Sequence, residues 1–345
     1  MTIARVIVVR IKSLMLKYRL PPAIVLIMAS VFVEQGMGEP MHSYYSTLGI
    51  DQITVYMSAF LPIVTNKFTP AYIAGLVEGD GSLVTPGPRA DGGKKRYPKV
   101  TICFALKDLP LANLFVTVFG GSVYTTPGKW LVFTLQNPRD IYAFVVFING
   151  YMRTPKIDAL HNMINWLNAS GNYPILPLLG LDNTSLYSNG WLAGILEADC
   201  SFQLTFRVSL ITGLIIDLRV SMILTQRLMY HVVDAALGAS FLPIMSIIAD
   251  QFLCNVMQRV RERVNCIESN CGVNIKSLES RLALINYLSM YPLMSSKRLD
   301  YLDWVKAHKM LLSKEYKTIS GAQKLVLLKS GMNDGRTYFD WSNLD

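Results

Sequence analysis

Residues 73–82 read IAGLVEGDGS and residues 192–201 read LAGILEADCS. The two stretches share Ala, Gly, Glu, Asp and Ser in register, and Asp80 and Asp199 occupy the same place, 119 residues apart. A repeat at this distance indicates two copies of one structural unit rather than a solenoid of short repeats. Each copy ends a small, apolar, helix-like segment with an acid. The sequence therefore predicts a pseudo-symmetric site built from two equivalent carboxylates.

The bulk composition agrees with two domains and a polyanionic partner. The chain has 345 residues and a net charge of +9, which favours nucleic acid or an anionic membrane surface. Beyond the N-terminus no window offers the roughly 18 uncharged apolar residues of a spanning helix, because Asp217 and Arg219 interrupt the best candidate. Five cysteines without a Cys-x-x-Cys pair, and four histidines, disfavour structural zinc and a disulfide framework and favour a reducing compartment.

The pattern along the chain predicts an N-terminal extension, two repeated domains, a linker between them and a C-terminal tail. The extension covers residues 1–60, the first domain 61–170, the linker 171–188, the second domain 189–315 and the tail 316–345. In the extension, basic residues precede the first acid, Glu34, and an apolar run follows from Leu20 to Val33. That pattern fits an organellar presequence, a secretory signal without a convincing cleavage site, or the remnant of a fused upstream reading frame. A basic protein anchored to a membrane by residues 1–33 is a further alternative.

Each domain is predicted to have the element order α-β-β-α-β-β-α. In the first, Thr69 and Pro70 begin a helix that ends at Gly81. We predict further helices at 109–119, 138–148 and 154–167, and strands at 82–85, 97–107, 122–126 and 130–136. In the second, we predict helices at 189–199, 227–237, 278–287 and 299–312, and strands at 201–207, 214–224, 241–254 and 272–275.

One face of each predicted sheet is polar. In residues 201–207, SFQLTFR, the apolar side chains alternate strictly with Gln203, Thr205 and Arg207. The partner strand adds Asp217, Arg219 and Ser221 to that face, and Lys99 and Thr101 alternate with apolar residues in the first domain. Such side chains can contact base edges in a major groove. The alternative is an ordinary solvated sheet face.

The duplicated segments resemble the LAGLIDADG motif, and residues 68–315 are similar to a single-chain, two-motif LAGLIDADG homing endonuclease. The resemblance implies an α+β fold of two pseudo-symmetric αββαββα half-domains, each with an antiparallel sheet, that form a saddle for DNA. The small residues of the motifs, Ala74, Gly75, Gly79, Ala193, Gly194 and Ala198, would let two helices pack closely. Members of this family act on double-stranded DNA with a long asymmetric target, here as a monomer.

By the same resemblance, Asp80 and Asp199, with the backbone carbonyls of Gly79 and Ala198, hold two or three divalent cations, Mg²⁺ in our prediction. Neighbouring carboxylates would repel each other without such cations. Lys156 and Lys297 are expected near the scissile phosphates, and Asp108 and Gln226 are expected to position water. Glu78 and Glu197 are interpreted as helix-end or interface residues. Cys200 replaces the usual motif glycine, which we expect to cost stability in a tight turn.

The implied activity is hydrolysis of both DNA strands across the minor groove, leaving short 3′ overhangs and promoting intron mobility. An RNA maturase of the same fold that binds group I intron RNA is the alternative, with or without cleavage. Mitochondrial residence is expected, with the plastid as the alternative, and no small-molecule cofactor. The predicted DNA contacts are Ser82, Arg89, Lys94, Lys95, Arg96, Lys99, Thr101, Gln203, Thr205, Arg207, Asp217, Arg219, Ser221, Arg259 and Arg261.

Overall fold

The computed structural model describes residues 68–87, 96–126, 128–230, 239–263 and 266–344. The chain divides into a first unit of Met1–Ala74, Gly81–Met152 and Ile157–Asp182, and a second unit of Gly75–Asp80, Arg153–Lys156 and Asn183–Asp345. Gly75–Asp80, which belong to the first of the two duplicated segments, and Arg153–Lys156 therefore group with the second unit. The predictions for residues 1–60 lie outside the described residues.

The first unit places helices against one four-stranded antiparallel sheet. Its elements are α1 (Pro70–Asp80), β1 (Gly81–Val84), β2 (Lys99–Ala105), α2 (Leu109–Phe119), β3 (Ser122–Thr126), β4 (Trp130–Leu135), α3 (Pro138–Ile148) and α4 (Ile157–Ala169). The strand order is β1-β2-β4-β3. The residues of α1 from Gly75 onward belong to the second unit.

Local sequence signals explain where several of these helices begin and end. The Thr69 hydroxyl accepts a hydrogen bond from the Tyr72 amide at 3.2 Å, so Thr69 caps α1. Asn137 caps α3 in the same way, with Pro138 in the first turn. Helix α2 ends at Gly120, which has a φ of +79° that favours glycine.

The first sheet has a buried face and an open face. Val100, Ile102 and Phe133 are fully buried on one side, where Phe115 and Phe119 pack in an aromatic cluster. The strand register places Ser82, Thr101, Thr134 and Ser122 in one row on the other side. Alternation along the strands therefore gives one apolar face and one largely polar face.

The second unit repeats the same order. Its elements are α5 (Trp191–Asp199), β5 (Cys200–Val208), β6 (Ile215–Arg227), α6 (Leu242–Gln251), β7 (Val256–Arg263), β8 (Cys266–Ile275), α7 (Leu278–Met290), α8 (Lys297–Ser313) and α9 (Ile319–Ser330). The strands are antiparallel in the order β5-β6-β8-β7, which is the order of the first sheet. The predicted α+β class, with the repeated αββαββα order and two antiparallel sheets, is confirmed.

The prediction for residues 241–254 is wrong in its element type. Strand β6 continues to Arg227, and residues 241–254 contain helix α6 instead of a strand. Ile244, Met245, Ile248 and Ala249 are the buried residues of α6, a helical spacing that the run of apolar residues concealed. Pro243 in its first turn was the signal for a helix start. Strand β7 was not predicted, and residues 231–238 lie outside the described residues.

Residues beyond α8 continue in ordered elements. Lys314, in the left-handed conformation, ends α8, and α9 begins after the Thr318 cap. The Asn333 side chain donates to the carbonyl oxygen of Phe202 at 3.3 Å, and Arg336 lies 2.9 Å from Asp300. The segment after α9 is thus attached to β5 and α8. In the part of the chain that the structure describes, no helix has both the length and the apolar character for crossing a bilayer.

Candidate active site

The two motif helices approach each other backbone to backbone within the second unit. A Cβ atom at Gly75 would lie 2.1 Å from the Trp191 carbonyl oxygen and 2.9 Å from the Ile195 nitrogen. A Cβ atom at Gly79 would lie 2.1 Å from the Cβ of Ala198. Only glycine permits this contact at either position. The small residues of the motif therefore set the ends of α1 and α5 side by side.

This contact brings the two motif carboxylates together. Partial burial, and next the charge of Asp199, raise the pKa of Asp80 from 3.8 to about 6, although its side chain remains open to solvent. Burial also raises the pKa of Asp199, while a hydrogen bond from Gln226 lowers it. Both carboxylates are thus held in a setting that disfavours two negative charges.

A lysine lies against the end of each motif helix. The Nζ atom of Lys156 donates to the carbonyl oxygens of Val77 and Gly79 at 3.2 and 3.3 Å. The Nζ atom of Lys297 donates to the equivalent carbonyl oxygens, those of Leu196 and Ala198, at 3.3 and 2.9 Å. The repeat therefore reproduces the lysine as well as the acid.

The two ammonium groups act electrostatically on the carboxylate pair. Positive charges at Lys297 and Lys156 both lower the pKa values of Asp80 and Asp199, in opposition to burial. Burial lowers the pKa of Lys156, while the charges of Glu78, Asp199 and Asp80 raise it. The two aspartates and the two lysines thus form one cluster in which the charge of each group changes the pKa of others.

The motif glutamates hold the loops that precede these lysines. Glu78 accepts hydrogen bonds from the backbone amides of Arg153 and Thr154, the latter at 2.6 Å, and from the Trp191 indole at 2.5 Å. Glu197 accepts from the Met294 amide at 2.6 Å and from the Ser295 amide at 3.2 Å. Burial raises the pKa of Glu78. These contacts were not foreseen, because the partners lie far away in sequence.

The two predicted water-positioning residues fall in different settings. The Gln226 side-chain amide donates to Asp199 Oδ2 at 2.5 Å, so this residue joins the cluster. Asp108 is buried in a short 3₁₀ turn, Leu106–Asp108, of the first unit. Cys200 has φ −86° and ψ 157°, an extended conformation open to any residue, so the expected strain at this position is absent. Burial raises the pKa of its thiol to about 12.

The cluster offers oxygen atoms suited to a hard divalent cation. Two carboxylates and the carbonyl oxygens of Gly79 and Ala198 lie at the adjoining helix ends, and the carboxylates repel each other. Mg²⁺ takes one or two carboxylates and completes its shell with water and substrate phosphate. Within the described residues, no group of three or more His, Cys, Asp and Glu side chains is arranged so that it could hold a metal ion by itself. The donor set thus fits a cation bound partly by substrate.

The predicted DNA contacts of the second unit lie on the open face of its sheet. Gln203, Thr205 and Arg207 stand opposite Ser221, Arg219 and Asp217, respectively. Asp217 lies 3.5 Å from Arg207 and 3.3 Å from Arg219. The register carries this face across to β7, where Arg259 and Arg261 are exposed opposite Asn270 and Glu268.

In the first unit, Ser82 and Thr101 are paired on the open face of the sheet, and Lys99 faces Val84. Arg96 is exposed, three residues before β2. Arg89, Lys94 and Lys95 lie outside the described residues.

The prediction missed other side chains on these faces. Tyr124 and Trp130 are nearly half exposed on the open face of the first sheet, in register with Val132 and Ala105. Arg227 is exposed opposite Asn270 on the second. The alternation of side chains in each strand would have indicated them once the strand ends were known.

Most of the chain is similar in sequence to known proteins. The family described as LAGLIDADG endonuclease matches residues 73–167 and 192–308, more than half of the chain. An intron-encoded DNA endonuclease, aI3 of Saccharomyces cerevisiae, is 28% identical over 329 residues, covering 87% of this chain and 78% of its own length. A cox1 intron-2 37.2 kDa protein of Schizosaccharomyces pombe is 24% identical, covering 87% of this chain and 82% of its own.

Solved structures show the same fold. The meganuclease I-SmaMI bound to uncleavable DNA aligns with a TM-score of 0.58 at 17% identity, covering 79% of this chain and 99% of its own. I-GzeII in complex with its DNA target aligns with a TM-score of 0.57 at 18% identity, covering 78% and 99%. I-SmaMI bound to its uncleaved DNA target in the presence of calcium ions aligns with a TM-score of 0.56 at 17% identity.

Proposed function

Because the chain belongs to the LAGLIDADG endonuclease family, we propose that it is a site-specific homing endonuclease that hydrolyses phosphodiester bonds in double-stranded DNA. The observation that carries the proposal is the doubled cluster: Asp80 and Asp199 at adjoining helix ends, each with a lysine on the neighbouring carbonyl. A purely structural role does not require two aspartates and two lysines in one place.

We assign the chemistry of the cluster residue by residue. Asp80, Asp199 and the carbonyl oxygens of Gly79 and Ala198 would hold divalent cations, Mg²⁺ in this proposal. Such cations, when bound, neutralise the carboxylate pair and polarise a scissile phosphate. Gln226 fixes the orientation of the Asp199 carboxylate through the 2.5 Å hydrogen bond. Asp108 is proposed to position water in the first unit.

The two lysines supply positive charge where negative charge develops. Each ammonium donates to two backbone carbonyl oxygens at the end of its motif helix, which fixes its positive charge beside the motif aspartate. A donor placed in advance stabilises the transition state more than a solvated one, because no reorganisation is needed. We propose that Lys156 and Lys297 serve opposite strands.

DNA binding is assigned to the open faces of the sheets. The open face of the second sheet carries Asp217 and Glu268 together with Arg207, Arg219, Arg227, Arg259 and Arg261. This excess of positive charge favours phosphate contacts, while Gln203, Thr205 and Ser221 offer groups that contact base edges. The two sheets carry different residues at equivalent positions, which suits one chain acting as a monomer on an asymmetric target.

The names of the relatives support a proposed biological role. A relative named as an intron-encoded DNA endonuclease and another named for a cox1 intron support intron mobility and residence in the mitochondrion. The RNA maturase alternative requires binding of group I intron RNA and makes no use of the doubled acid–lysine cluster. Cleavage is therefore favoured over it.

The decisive experiment offers the intron-less allele of the host gene with Mg²⁺ to the full chain and to Asp80→Asn and Asp199→Asn. We expect wild type to cut both strands and either variant to lose double-strand cleavage by at least about 10²-fold, while binding persists. Asp334→Asn, an exposed acid in a surface turn, is the matched control. Full cleavage by both active-site variants would overturn the assignment, and binding of intron RNA without DNA cleavage would support the maturase.

A further inference from the structure

A closed circuit of hydrogen bonds connects the motif helix to its lysine in both copies. In the first copy, Glu78 accepts from the amides of Arg153 and Thr154, and the Thr154 hydroxyl accepts from the Lys156 amide at 3.2 Å. Lys156 then returns to the motif helix through the carbonyl oxygens of Val77 and Gly79.

The second copy has the same circuit built from different residues. Glu197 accepts from the Met294 and Ser295 amides and from the Ser295 hydroxyl. The Ser295 hydroxyl oxygen accepts from the Lys297 amide at 3.0 Å, and Lys297 returns to the carbonyl oxygens of Leu196 and Ala198. Thr154 and Ser295 each stand two residues before the lysine, so the hydroxyl is repeated even though the surrounding sequence is not.

Every polar member of these circuits except the lysines is deeply buried. Glu78 and Thr154 are 1% exposed, Glu197 is 5% exposed and Ser295 is 7% exposed. A buried carboxylate is costly unless hydrogen bonds compensate it, and here the compensating donors are the amides of the lysine loops. The glutamate therefore fixes the loop that precedes the lysine. The hydroxyl of Thr154 or Ser295 binds the backbone amide of that lysine, and the ammonium group comes to lie at the end of the motif helix.

We propose that Thr154 and Ser295, held by Glu78 and Glu197, are positioning residues that place Lys156 and Lys297 for cleavage, one circuit for each DNA strand. The inference rests on the proposed nuclease function. A positioning role differs from a purely structural one, because removing the hydroxyl should reduce catalysis through the lysine and leave DNA affinity nearly intact.

The test measures nicking of each labelled strand in single turnover with Mg²⁺, together with DNA affinity and thermal midpoint, for Thr154→Val and Ser295→Ala. We expect each variant to slow one strand by about 10-fold, the scale on which outer partners of a site act, and the two variants to affect opposite strands. Thr154→Ser and Ser295→Thr keep the hydroxyl and should restore the rate. Thr318→Val, which removes the cap of α9, is the control for a lost hydroxyl elsewhere.

A double-mutant cycle decides how the hydroxyl acts. If Thr154 acts through Lys156, the pair Thr154→Val with Lys156→Met should cut no more slowly than Lys156→Met alone.

Fully multiplicative losses, or equal slowing of both strands with parallel loss of affinity, would overturn the inference in favour of a structural role. So would unchanged rates in Thr154→Val and Ser295→Ala while wild type cleaves. Absence of cleavage by wild type would instead count against the nuclease proposal. Should Thr154→Val fail to fold, Ser295→Ala and Ser295→Thr give the same comparison.

Discussion

The Nζ atom of Lys297 lies 2.9 Å from the carbonyl oxygen of Ala198, the residue immediately before Asp199. Lys156 has the equivalent relationship to Gly79, before Asp80. Each lysine is thus bound to the backbone beside an acid, and its charge lowers the pKa of that acid from a short distance. These lysine hydrogen bonds are made to backbone oxygens and not to the carboxylates.

Replacing either lysine should reduce cleavage far more than binding. We expect Lys156→Met and Lys297→Met each to lose about 10²-fold or more in cleavage rate, because a donor prepared for developing charge is removed. Lys309→Met, an exposed lysine on α8, should cleave as wild type does. Rates in single turnover and affinity by titration check this. Equal losses in affinity and rate would contradict it.

Cleavage should fall as the pH drops through about 6. Burial, and then the charge of Asp199, raise the pKa of Asp80 to about 6, so this acid is mostly protonated below that value and cannot hold a cation. More Mg²⁺ should move the midpoint of the pH–rate profile downward, because cations compete with protons for the carboxylate. Lys297→Met should move it upward, because the Lys297 charge lowers the pKa of Asp80. A midpoint that is independent of Mg²⁺ would argue against the carboxylate as ligand.

Asp80→Asn should stabilise the cation-free protein at neutral pH. The pKa of Asp80 is raised on folding, so its favourable contribution is complete below 3.8 and is lost as the pH rises through about 6. Because the side chain is open to solvent, we discount the effect to about 1 kcal/mol, a few degrees in thermal midpoint. The gain should be present at pH 7.5, absent at pH 3.5, and offset when Mg²⁺ stabilises wild type. Asp334→Asn is the control. A loss of stability at pH 7.5 would contradict the electrostatic account.

The repeat made much of the cluster predictable. Asp80 and Asp199 follow from the repeated motif, and the resemblance to the family singled out Lys156 and Lys297 at matching places late in each half. Gln226 could be aligned in the same way, and the structure brings it to Asp199. The glutamate circuits could not be foreseen, because Glu78 and Thr154 are 76 residues apart and the carboxylate binds a backbone amide, which almost any residue type can supply. Nothing in local periodicity records such a contact.

The main error in the fold has a comparable cause. Residues 241–254 are rich in Ile and Phe, which favour strands, yet helix α6 forms because its buried face repeats with helical spacing against the sheet. Tertiary burial decided the element where intrinsic preference was ambiguous. The aromatic pair Tyr124 and Trp130 was missed for a related reason, since its face depends on strand register rather than on composition.

Gly75 should tolerate no side chain. A Cβ atom there would lie 2.1 Å from a backbone oxygen of Trp191, which cannot move without displacing helix α5. We expect Gly75→Ala to destabilise the protein by about 1–3 kcal/mol, the usual cost of overpacking, and to abolish cleavage by separating the carboxylates. Gly87→Ala is the matched control, because nothing lies within 4 Å of its added Cβ. Equal thermal midpoints for the two variants would show that the helices do not approach as described.

The segment after α9 should be required for stability of the second unit. Arg336 donates to Asp300 at 3.0 Å and to Asp303 at 2.6 Å, and its side chain is only 12% exposed. Removing one partner of a buried ion pair leaves charge uncompensated, so we expect Arg336→Met to cost about 3 kcal/mol, measured by denaturant unfolding. Asp300→Asn in that background should recover part of the loss, because it removes the carboxylate that has lost its arginine, whereas Asp303 keeps Lys306 at 2.8 Å.

The control for that loss is Arg261→Met, which changes an exposed arginine on strand β7. It should leave unfolding within about 0.5 kcal/mol of wild type. It should instead weaken DNA binding and reduce the salt dependence of affinity by about one unit of slope, as expected for a phosphate contact. If Arg336→Met unfolds as wild type does, the ion pair does not stabilise the attachment of the C-terminal segment.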